Sequence, residues 1–356
     1  MKIAVEAFWL NTERLTGVGY YILRILEIIN KEHPGNTFYL LYSGNTWVGP
    51  NLGENFIPVC YGKCKATFAV LFKLHKVINQ LKPDIYHATF PTRVPPQKLC
   101  CPVVTTVHDL LPLHIESFKR KLIFNITTHW AWKDSCHFLS NSHYTASEMV
   151  KYKNIAKEKI TVTHLAPAHK LPGWKSPGKH ILFVGSLNSR KNPLFLLKVY
   201  YQLCAIVKNP PPLIFVGDYR TEASEFIKEM KNCPKNGKAD WLKYVEQKEL
   251  EELYSDAALF VLPSCLEGFG MPVIEAMSAG VPVMCSDIDV FREITEGGAE
   301  IVHGWDINKW ARKMKYLLEN ISEREKLSKT EKEQAKKFNW NDCAKKTWGV
   351  YSNVVK

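Results

Sequence analysis

The chain has 356 residues, of which 46% are hydrophobic, and it carries a formal net charge of +12. Its length exceeds what one hydrophobic core usually supports, so two domains are expected. No stretch approaches the roughly 20 apolar residues of a membrane span, and Glu6 interrupts the apolar run from Ile3, which argues against a signal peptide. Ten cysteines without zinc-like spacing indicate reduced thiols rather than a disulfide framework or metal site. A cytoplasmic protein is therefore predicted, and no recognised nucleic-acid module accompanies the positive charge.

The first predicted strand, residues 1–5, is followed by a loop that opens a helix and contains Gly17 and Gly19. The third glycine of a dinucleotide-binding fingerprint is missing at the required spacing. Two interpretations remain: backbone N–H groups that contact a ligand phosphate, or an ordinary strand-to-helix turn that needs glycine for its dihedral angles. Both stay open for Gly17, and ligand binding is preferred for Gly19.

Residues 63–82 predict a helix with one apolar stripe and cationic flanks. Such a helix can lie on an anionic membrane surface, and Lys119, Arg120 and Lys121 add positive charge to the same domain. The alternative is a helix that packs on the core and exposes solvated lysines. Residues 1–166 carry a net charge of +8, whereas the remaining residues carry +4.

His108 lies at the carboxyl end of a predicted strand that begins at Val103. Ligands of parallel α/β sheets bind beyond the carboxyl ends of strands, so His108 is a candidate ligand-binding residue. The proline- and glycine-rich run 167–178 predicts a linker between two domains. Strands alternate with helices on both sides of this linker, which indicates doubly wound parallel sheets.

Two predicted strands of the second half end in glycine. The strand from Ile181 ends at Gly185, and the basic residues Arg190 and Lys191 follow it in a loop that opens a helix. A second strand ends at Gly217. Glycine permits the tight turn that each of these strand ends requires.

A glycine-rich turn between two glutamates follows the short apolar run 257–262, which predicts a buried parallel strand. Glu267 precedes the turn, Glu275 follows it, and Pro272 suits the first helical position. Glu275 is therefore expected in the first turn of a helix. Free N–H groups at such a helix start attract phosphate or sugar oxygens, and two nearby carboxylates can accept hydrogen bonds from hydroxyl groups.

The run that starts at Glu267, Glu-Gly-Phe-Gly-x-Pro-x-x-Glu-Ala-Met-x-x-Gly-x-Pro-Val, resembles the donor-site signature of retaining glycosyltransferases of family four, which have the GT-B fold. The resemblance covers nearly the whole chain and implies an α/β protein of two Rossmann-like doubly wound domains that face a cleft. The expected parts are an acceptor-binding domain over residues 1–168, a nucleotide-sugar-binding domain over 176–338, and a C-terminal helix over 339–356 that crosses back to the first domain.

The resemblance also implies roles for acidic and basic residues. Glu275 would hold the ribose hydroxyls of the donor, and Glu267 would lie near the sugar and the phosphates. Lys191 and Arg190 would neutralise the diphosphate. Ser186 stands where family members commonly carry an arginine, so Arg190 takes over that charge or the loop uses Lys191 alone.

The remaining implied roles involve His108, which would bond a sugar hydroxyl or the phosphate-side acceptor, and Val245, whose backbone would meet the base. The residues with an implied catalytic role are Glu267, His108 and Lys191. The residues with an implied donor-binding role are Gly19, Gly185, Arg190, Lys191, Gly217, Val245, Glu267, Gly268, Phe269, Gly270, Met271 and Glu275.

The implied activity is transfer of a hexose from a nucleotide diphosphate sugar to a glycan or lipid-linked acceptor in cell-surface polysaccharide or lipopolysaccharide assembly. The pair His108–Asp109 followed by Leu-Leu-Pro resembles mannosyltransferases and favours GDP-mannose as donor. No carboxylate is clearly placed as a nucleophile, which implies a front-face displacement with retention. Neither metal nor another cofactor is expected, and peripheral contact with the inner membrane face is considered. The alternatives are an epimerase or phosphorylase of the same fold, or a non-catalytic nucleotide-binding scaffold.

Overall fold

The computed structural model describes residues 1–64, 66–114, 117–218 and 224–356. The chain divides into two units, of which the first comprises Met1–Ala168 and Asn339–Lys356 and the second comprises His169–Phe338. Each unit is built around one parallel sheet, with seven strands in the first and six in the second. The predicted α/β class with two doubly wound sheets is confirmed.

Seven parallel strands form the sheet of the first unit: β1 (Lys2–Glu6), β2 (Thr37–Ser43), β3 (Phe56–Gly62), β4 (Ile85–Ala88), β5 (Val103–Val107), β6 (His137–Ser140) and β7 (Ile160–Val162). Their spatial order is β3-β2-β1-β4-β5-β6-β7. Ile3 of β1 pairs with Phe38 on one side and Ile85 on the other. All three side chains are fully buried, so β1 runs through the middle of this core.

The crossover helices lie on both faces of this sheet. The crossovers are α1 (Gly17–Glu32), then α2 (Ala66–Ala69) continued by a π turn (Val70–Leu74) and α3 (His75–Leu81), then α4 (Phe118–Asp134) and α5 (His143–Lys153). The connection from β1 to β2 moves toward the β3 edge of the sheet. The connections from β3 to β4, β5 to β6 and β6 to β7 move toward the β7 edge. Because parallel crossovers are right-handed, α1 covers one face, and segment 66–81, α4 and α5 cover the other.

The apolar stripe predicted in residues 63–82 packs on the core of the first unit. The core-packing interpretation therefore accounts for the stripe itself. Phe68 and Phe72 lie outside it, and each is 52% exposed. Lys65, which contributed to the predicted cationic flank, lies outside the described residues. The buried residues of the stripe are Ala69, Val70, Leu74 and Ile78.

Six parallel strands form the sheet of the second unit: β8 (His180–Val184), β9 (Leu213–Val216), β10 (Ala239–Leu242), β11 (Ala257–Leu262), β12 (Val283–Ser286) and β13 (Glu300–Val302). Their order is β10-β9-β8-β11-β12-β13, so β8 and β11 are neighbours although about 75 residues separate them in the chain. Every residue of β11 is buried, as the uncharged run predicted. The helices of this unit are α6 (Pro193–Ile206), α7 (Ser224–Met230), α8 (Gln247–Ser255), α9 (Met271–Ala279), α10 (Asp289–Thr295), α11 (Ile307–Glu319) and α12 (Ile321–Ala335).

The last helix, α13 (Trp340–Val354), returns to the first unit, as predicted, and packs on α1. Asn339 caps it by accepting a hydrogen bond from the backbone N–H of Asp342 at 2.9 Å. The indole N–H of Trp340 donates to the carbonyl of Pro167 at 2.9 Å, and the Tyr351 hydroxyl lies 2.6 Å from His87 Nδ1. Among the helices of the described ranges, none combines the length and the apolarity that crossing a bilayer requires.

Candidate functional site

The turns after β8 and β9 touch, and glycine makes this contact possible. Gly185 has a φ of +150° and Gly217 a φ of +144°, values that favour glycine. A Cβ at Gly217 would lie 2.2 Å from the Gly185 carbonyl oxygen, and a Cβ at Gly185 would lie 2.8 Å from Lys191 Cδ. The absence of side chains therefore leaves room for Lys191 to lie across the end of the sheet.

The loop after Gly185 fixes the backbone of the two cations. Asn188 accepts a hydrogen bond from the Lys191 backbone N–H at 3.0 Å, which caps the short 3₁₀ turn Ser189–Lys191. Asn192 then adopts a left-handed conformation, with φ of +54°, before α6 begins. The turn comprises three residues, and Arg190 and Lys191 occupy adjacent positions in it. Hydrogen bonding to Asn188 therefore fixes the backbone that carries both side chains.

Glu267 joins the two cations in a buried ionic cluster. Its Oε1 lies 2.8 Å from Lys191 Nζ, and its Oε2 lies 2.5 Å from Arg190 Nη1. The Ser264 hydroxyl donates a further bond to Oε1 at 2.8 Å. Arg190 Nη1 also donates to the Leu266 carbonyl at 2.8 Å. The cluster brings together residues from the loops after β8 and β11, which are adjacent in the sheet.

The electrostatics of this cluster keep Glu267 ionised. Burial alone would raise its pKa, but the charges of Lys191 and Arg190, with hydrogen bonds from Lys191 and Ser264, lower the pKa of Glu267 to about 2. At neutral pH the cluster therefore holds two cations against one carboxylate. The remaining positive charge, beside the nearly buried side chains of Lys191 and Glu267, can attract an anionic ligand.

Glu275 lies deeper than the sequence predicted. The helix α9 begins at Met271, directly after Gly270 leaves the loop with a φ of +99°, and Pro272 occupies its second position. Glu275 is therefore the fifth helical residue, and the prediction that placed it in the first turn is wrong. Its side chain is buried, and its Oε2 accepts a hydrogen bond from the Tyr254 hydroxyl at 3.0 Å.

Five other predicted donor-binding residues belong to the second unit. Phe269 is buried and packs edge-on against Phe338, with 5.8 Å between ring centroids, so its side chain serves the core of the second unit. Val245 is also buried, immediately before α8. A Cβ at Gly270 would lie 2.6 Å from Phe291, which requires glycine there. Met271 is the first residue of α9, and Gly268 lies in the turn that precedes it.

In the first unit, His108 directly follows β5 and is 6% exposed. The Tyr21 ring meets it edge-on at 5.1 Å and the Phe90 ring stacks on it at 6.1 Å. Burial lowers the pKa of His108 to about 4, so the imidazole is neutral at pH 7. Its Nε2 is buried and has no hydrogen-bond partner among the described residues. A neutral imidazole with such a nitrogen can take a hydrogen bond from a ligand.

Gly19 is the third residue of α1 rather than part of the preceding loop. A Cβ there would lie 2.7 Å from the Trp9 carbonyl oxygen and 2.9 Å from Leu15 Cδ2. Close packing of α1 therefore explains why this residue is glycine. Its N–H is nonetheless one of the N–H groups of the first turn that have no acceptor within the helix.

A second polar cluster at the carboxyl end of β1 was not predicted. Glu6 is fully buried, and it accepts hydrogen bonds from the hydroxyls of Thr89 at 3.1 Å and Tyr61 at 3.3 Å. Arg93 Nε lies 3.9 Å from its Oε1, and the Arg93 guanidinium lies 4.2 Å from the Phe8 ring centroid. Burial raises the pKa of Glu6, against the opposing charge of Arg93. The sequence signal was a glutamate at the end of an apolar strand, which calls for buried partners.

Comparisons with known proteins match both halves of the chain. A family described as glycosyl transferases group 1 matches residues 168–334, and glycosyltransferase family 4 matches residues 45–166. The O-antigen chain mannosyltransferase B of Escherichia coli is 28% identical over 293 residues, which cover 77% of this chain and 75% of that protein. The O-antigen chain mannosyltransferase RfbU of Salmonella typhimurium is 30% identical over 217 residues, or 60% of either chain.

A solved structure shares the fold across the full chain. Sucrose-phosphate synthase from Thermosynechococcus elongatus aligns with a TM-score of 0.76 at 16% sequence identity, and the alignment covers 99% of this chain and 98% of that one. At this identity the similarity establishes the fold alone. It confirms the predicted GT-B fold class, with one Rossmann-like sheet in each unit.

Proposed function

Since this chain belongs to the group 1 and family 4 glycosyltransferases, we propose that it transfers a hexose from a nucleotide diphosphate sugar to a glycan or lipid-linked acceptor, with retention at the anomeric carbon. Mannose from GDP-mannose is the preferred donor, because the two relatives described above are named O-antigen mannosyltransferases. The acceptor belongs to cell-surface polysaccharide or lipopolysaccharide assembly. The enzyme works in the cytoplasm, peripherally at the inner membrane face.

The observation that carries this proposal is the ionic cluster of Arg190, Lys191 and Glu267. During transfer, the bond between the anomeric carbon and the diphosphate oxygen breaks, and negative charge grows on the leaving diphosphate. Cations that are already held in position stabilise this charge without reorganisation, a task that a metal ion performs in other transferases. Ser186 stands where family members commonly carry an arginine, and Arg190 supplies the positive charge that this serine lacks. Glu267 keeps Arg190 and Lys191 oriented until the donor binds.

Glu275 holds the ribose hydroxyls in this proposal. The Tyr254 hydroxyl donates one hydrogen bond to Glu275 Oε2, and a carboxylate group can accept hydrogen bonds from several donors, hydroxyl groups included. Tyr254 fixes the orientation of the carboxylate. His108 contributes in the first unit by accepting a hydrogen bond at Nε2 from a sugar hydroxyl, a role that its lowered pKa supports because the ring stays neutral.

Retention follows from a front-face displacement. The acceptor hydroxyl attacks the anomeric carbon from the side that the diphosphate leaves, and the departing phosphate oxygen takes the acceptor proton. The new glycosidic bond replaces the sugar–phosphate bond, and the nucleoside diphosphate is released with that proton. This route requires no carboxylate nucleophile, in contrast to the paired carboxylates of retaining glycosidases.

The proposal is tested by incubating the full chain with a panel of nucleotide sugars and following slow donor hydrolysis without acceptor. We expect release of free mannose and GDP from GDP-mannose, with the released sugar first appearing in the α configuration by NMR. Formation of an epimeric nucleotide sugar would instead identify an epimerase, and turnover that depends on added phosphate would identify a phosphorylase. Donor binding by calorimetry without turnover of any donor or acceptor would identify a scaffold.

A further inference from the structure

The helix α4 is apolar on two opposite faces. Its inner face packs on the first unit through three residues spaced by four and three positions, Phe124, Thr128 and Ala131, all of which are buried. A helix of a water-soluble domain normally presents polar residues on the side opposite its buried face. The outer face of α4 departs from this pattern.

Phe118, Leu122 and Ile126 follow one another at intervals of four residues along that outer face, and Ile123 lies beside them. Phe118 is 78% exposed, Leu122 47%, Ile126 55% and Ile123 51%. Single exposed apolar residues are common on proteins, but four large ones on one helical ridge form a contiguous patch. We call these four residues the α4 ridge.

A pair of exposed aromatic rings lies in the same helical layer. Phe68 and Phe72 contact each other, with ring centroids 4.7 Å apart, and each is 52% exposed. The segment that carries them and α4 cover the same face of the first sheet. Leu74 of that segment and Ala131 of α4 also belong to one buried cluster, so the two helical elements pack on a common core.

The positive charge of segment 66–81 and α4 indicates the kind of partner that this surface binds. Lys73 and Lys76 on one element, and Lys119 and Lys121 on the other, are close in sequence to the exposed apolar residues. Segment 66–81 contains no aspartate or glutamate, and α4 contains a single aspartate, at its last position. Two copies related by a two-fold axis through this face would bring like charges together, which disfavours self-association. Apolar side chains flanked by cations match an anionic lipid surface.

We propose that the α4 ridge, with Phe68 and Phe72, is the surface by which this protein docks on an anionic membrane. The apolar side chains enter the boundary between headgroups and acyl chains, and the lysines contact lipid phosphates. The stripe within residues 63–82 that the sequence suggested for this role faces the core instead. The role of this surface in bringing the enzyme to a lipid-linked acceptor rests on the proposed function. Lipid binding itself can be measured independently of that function.

The test is co-sedimentation of the full chain with vesicles made of equal parts of phosphatidylglycerol and phosphatidylcholine, and with vesicles of phosphatidylcholine alone. We expect binding to the anionic vesicles. Phe118→Ser combined with Ile126→Ser should weaken it by about tenfold or more, because both side chains lose their apolar contact with the bilayer. The control is Val48→Ser with Ile321→Ser, which removes two apolar side chains that are 49% and 43% exposed and lie outside the ridge. Circular dichroism checks that each variant folds.

Failure to bind anionic vesicles, or equal binding by the ridge variant and the parent, would overturn the proposal. Self-association of the lipid-free parent that the ridge variant abolishes would also overturn it, since a second copy would then cover the ridge. GDP affinity, measured by calorimetry, should be the same in parent and ridge variant. If the ridge variant loses vesicle binding while the parent turns over no nucleotide sugar, the docking surface stands and the proposed function fails.

Discussion

The turn after β8 and the helical layer formed by segment 66–81 and α4 both carry lysines, but these cations have different surroundings. The Lys191 side chain is 9% exposed and forms an ion pair with Glu267. Lys73 and Lys119 lie at the surface of the first unit. A buried, paired cation has a fixed position and a strong local field, whereas an exposed cation is mobile and screened by salt. The first arrangement suits stabilisation of a growing charge, and the second suits adhesion to a charged surface.

The largest effect is expected when the buried cation is removed. Lys191→Ala should lower kcat/KM for the nucleotide sugar by about 10²–10³, as loss of one preorganised charge-stabilising group does in other enzymes. Arg190→Ala should cost less, because the Arg190 side chain is 30% exposed and its charge is better screened. Steady-state rates measure both effects. Lys198→Ala is the matched control, because that lysine is 44% exposed on α6.

If Arg190→Ala lowers kcat/KM more than Lys191→Ala does, Arg190 rather than Lys191 is the principal partner of the diphosphate. Addition of EDTA should leave the activity of the parent unchanged. A strict metal requirement would contradict the role given to the two cations.

The second effect concerns stability and its dependence on pH. The pKa of Glu267 is about 2 in the folded chain against an ordinary 4.5, so the unfolded chain binds the proton first as pH falls. The ionised carboxylate therefore stabilises the fold fully above about pH 4.5, and this stabilisation is lost between about pH 4.5 and pH 2. It amounts to on the order of 3 kcal/mol.

Glu267→Gln should lower the free energy of unfolding at pH 7 by on the order of 3 kcal/mol. At pH 3 the difference in free energy of unfolding between the variant and the parent, which we call the gap, should be smaller. Urea titrations at the two pH values measure it. Glu249→Gln, at an exposed position of α8, is the control and should show no such gap. A gap that is independent of pH would show that Glu267 stabilises through packing rather than charge.

The third effect is on donor affinity. Glu275→Ala should weaken binding of the nucleotide sugar by roughly 10- to 100-fold, because it removes charge-assisted hydrogen bonds of about 1.5–3 kcal/mol each. Tyr254→Phe should weaken it by about fivefold, since it removes one bond that orients the carboxylate. Calorimetry with the donor measures both. Unchanged affinity in Glu275→Ala would refute the ribose-binding role, and a larger effect of Tyr254→Phe would give the tyrosine a direct contact with the donor.

Local patterns predicted the elements of this chain, whereas contacts between distant loops required the structure. The uncharged run 257–262 and the glycines at 185 and 217 predicted a buried strand and two tight turns because each depends only on neighbouring residues. The pairing of Lys191 with Glu267 depends on β8 and β11 being neighbours, which the order of strands in the chain does not reveal.

Burial depth was the second property that the sequence left undetermined. Glu275 was expected near an open helix start, but α9 begins at Met271 and the carboxylate lies one turn further in, against Tyr254. Tyr254 lies at the end of α8, and its alignment with Glu275 follows from packing between two helices. Sequence periodicity alone also cannot show which of the two apolar faces of α4 is covered.

The smallest effect is expected from charges at the edge of the docking surface. Lys73→Ala should weaken binding to anionic vesicles by about fivefold at low ionic strength, because one surface lysine contributes about 1 kcal/mol of attraction to anionic lipid. This effect should disappear as salt is raised, whereas the effect of Phe118→Ser with Ile126→Ser should persist, since apolar contact is not screened. Co-sedimentation at two salt concentrations separates the contributions. If removing the charge of Lys73 weakens binding more than removing the two apolar side chains, segment 66–81 rather than the α4 ridge is the main contact with lipid.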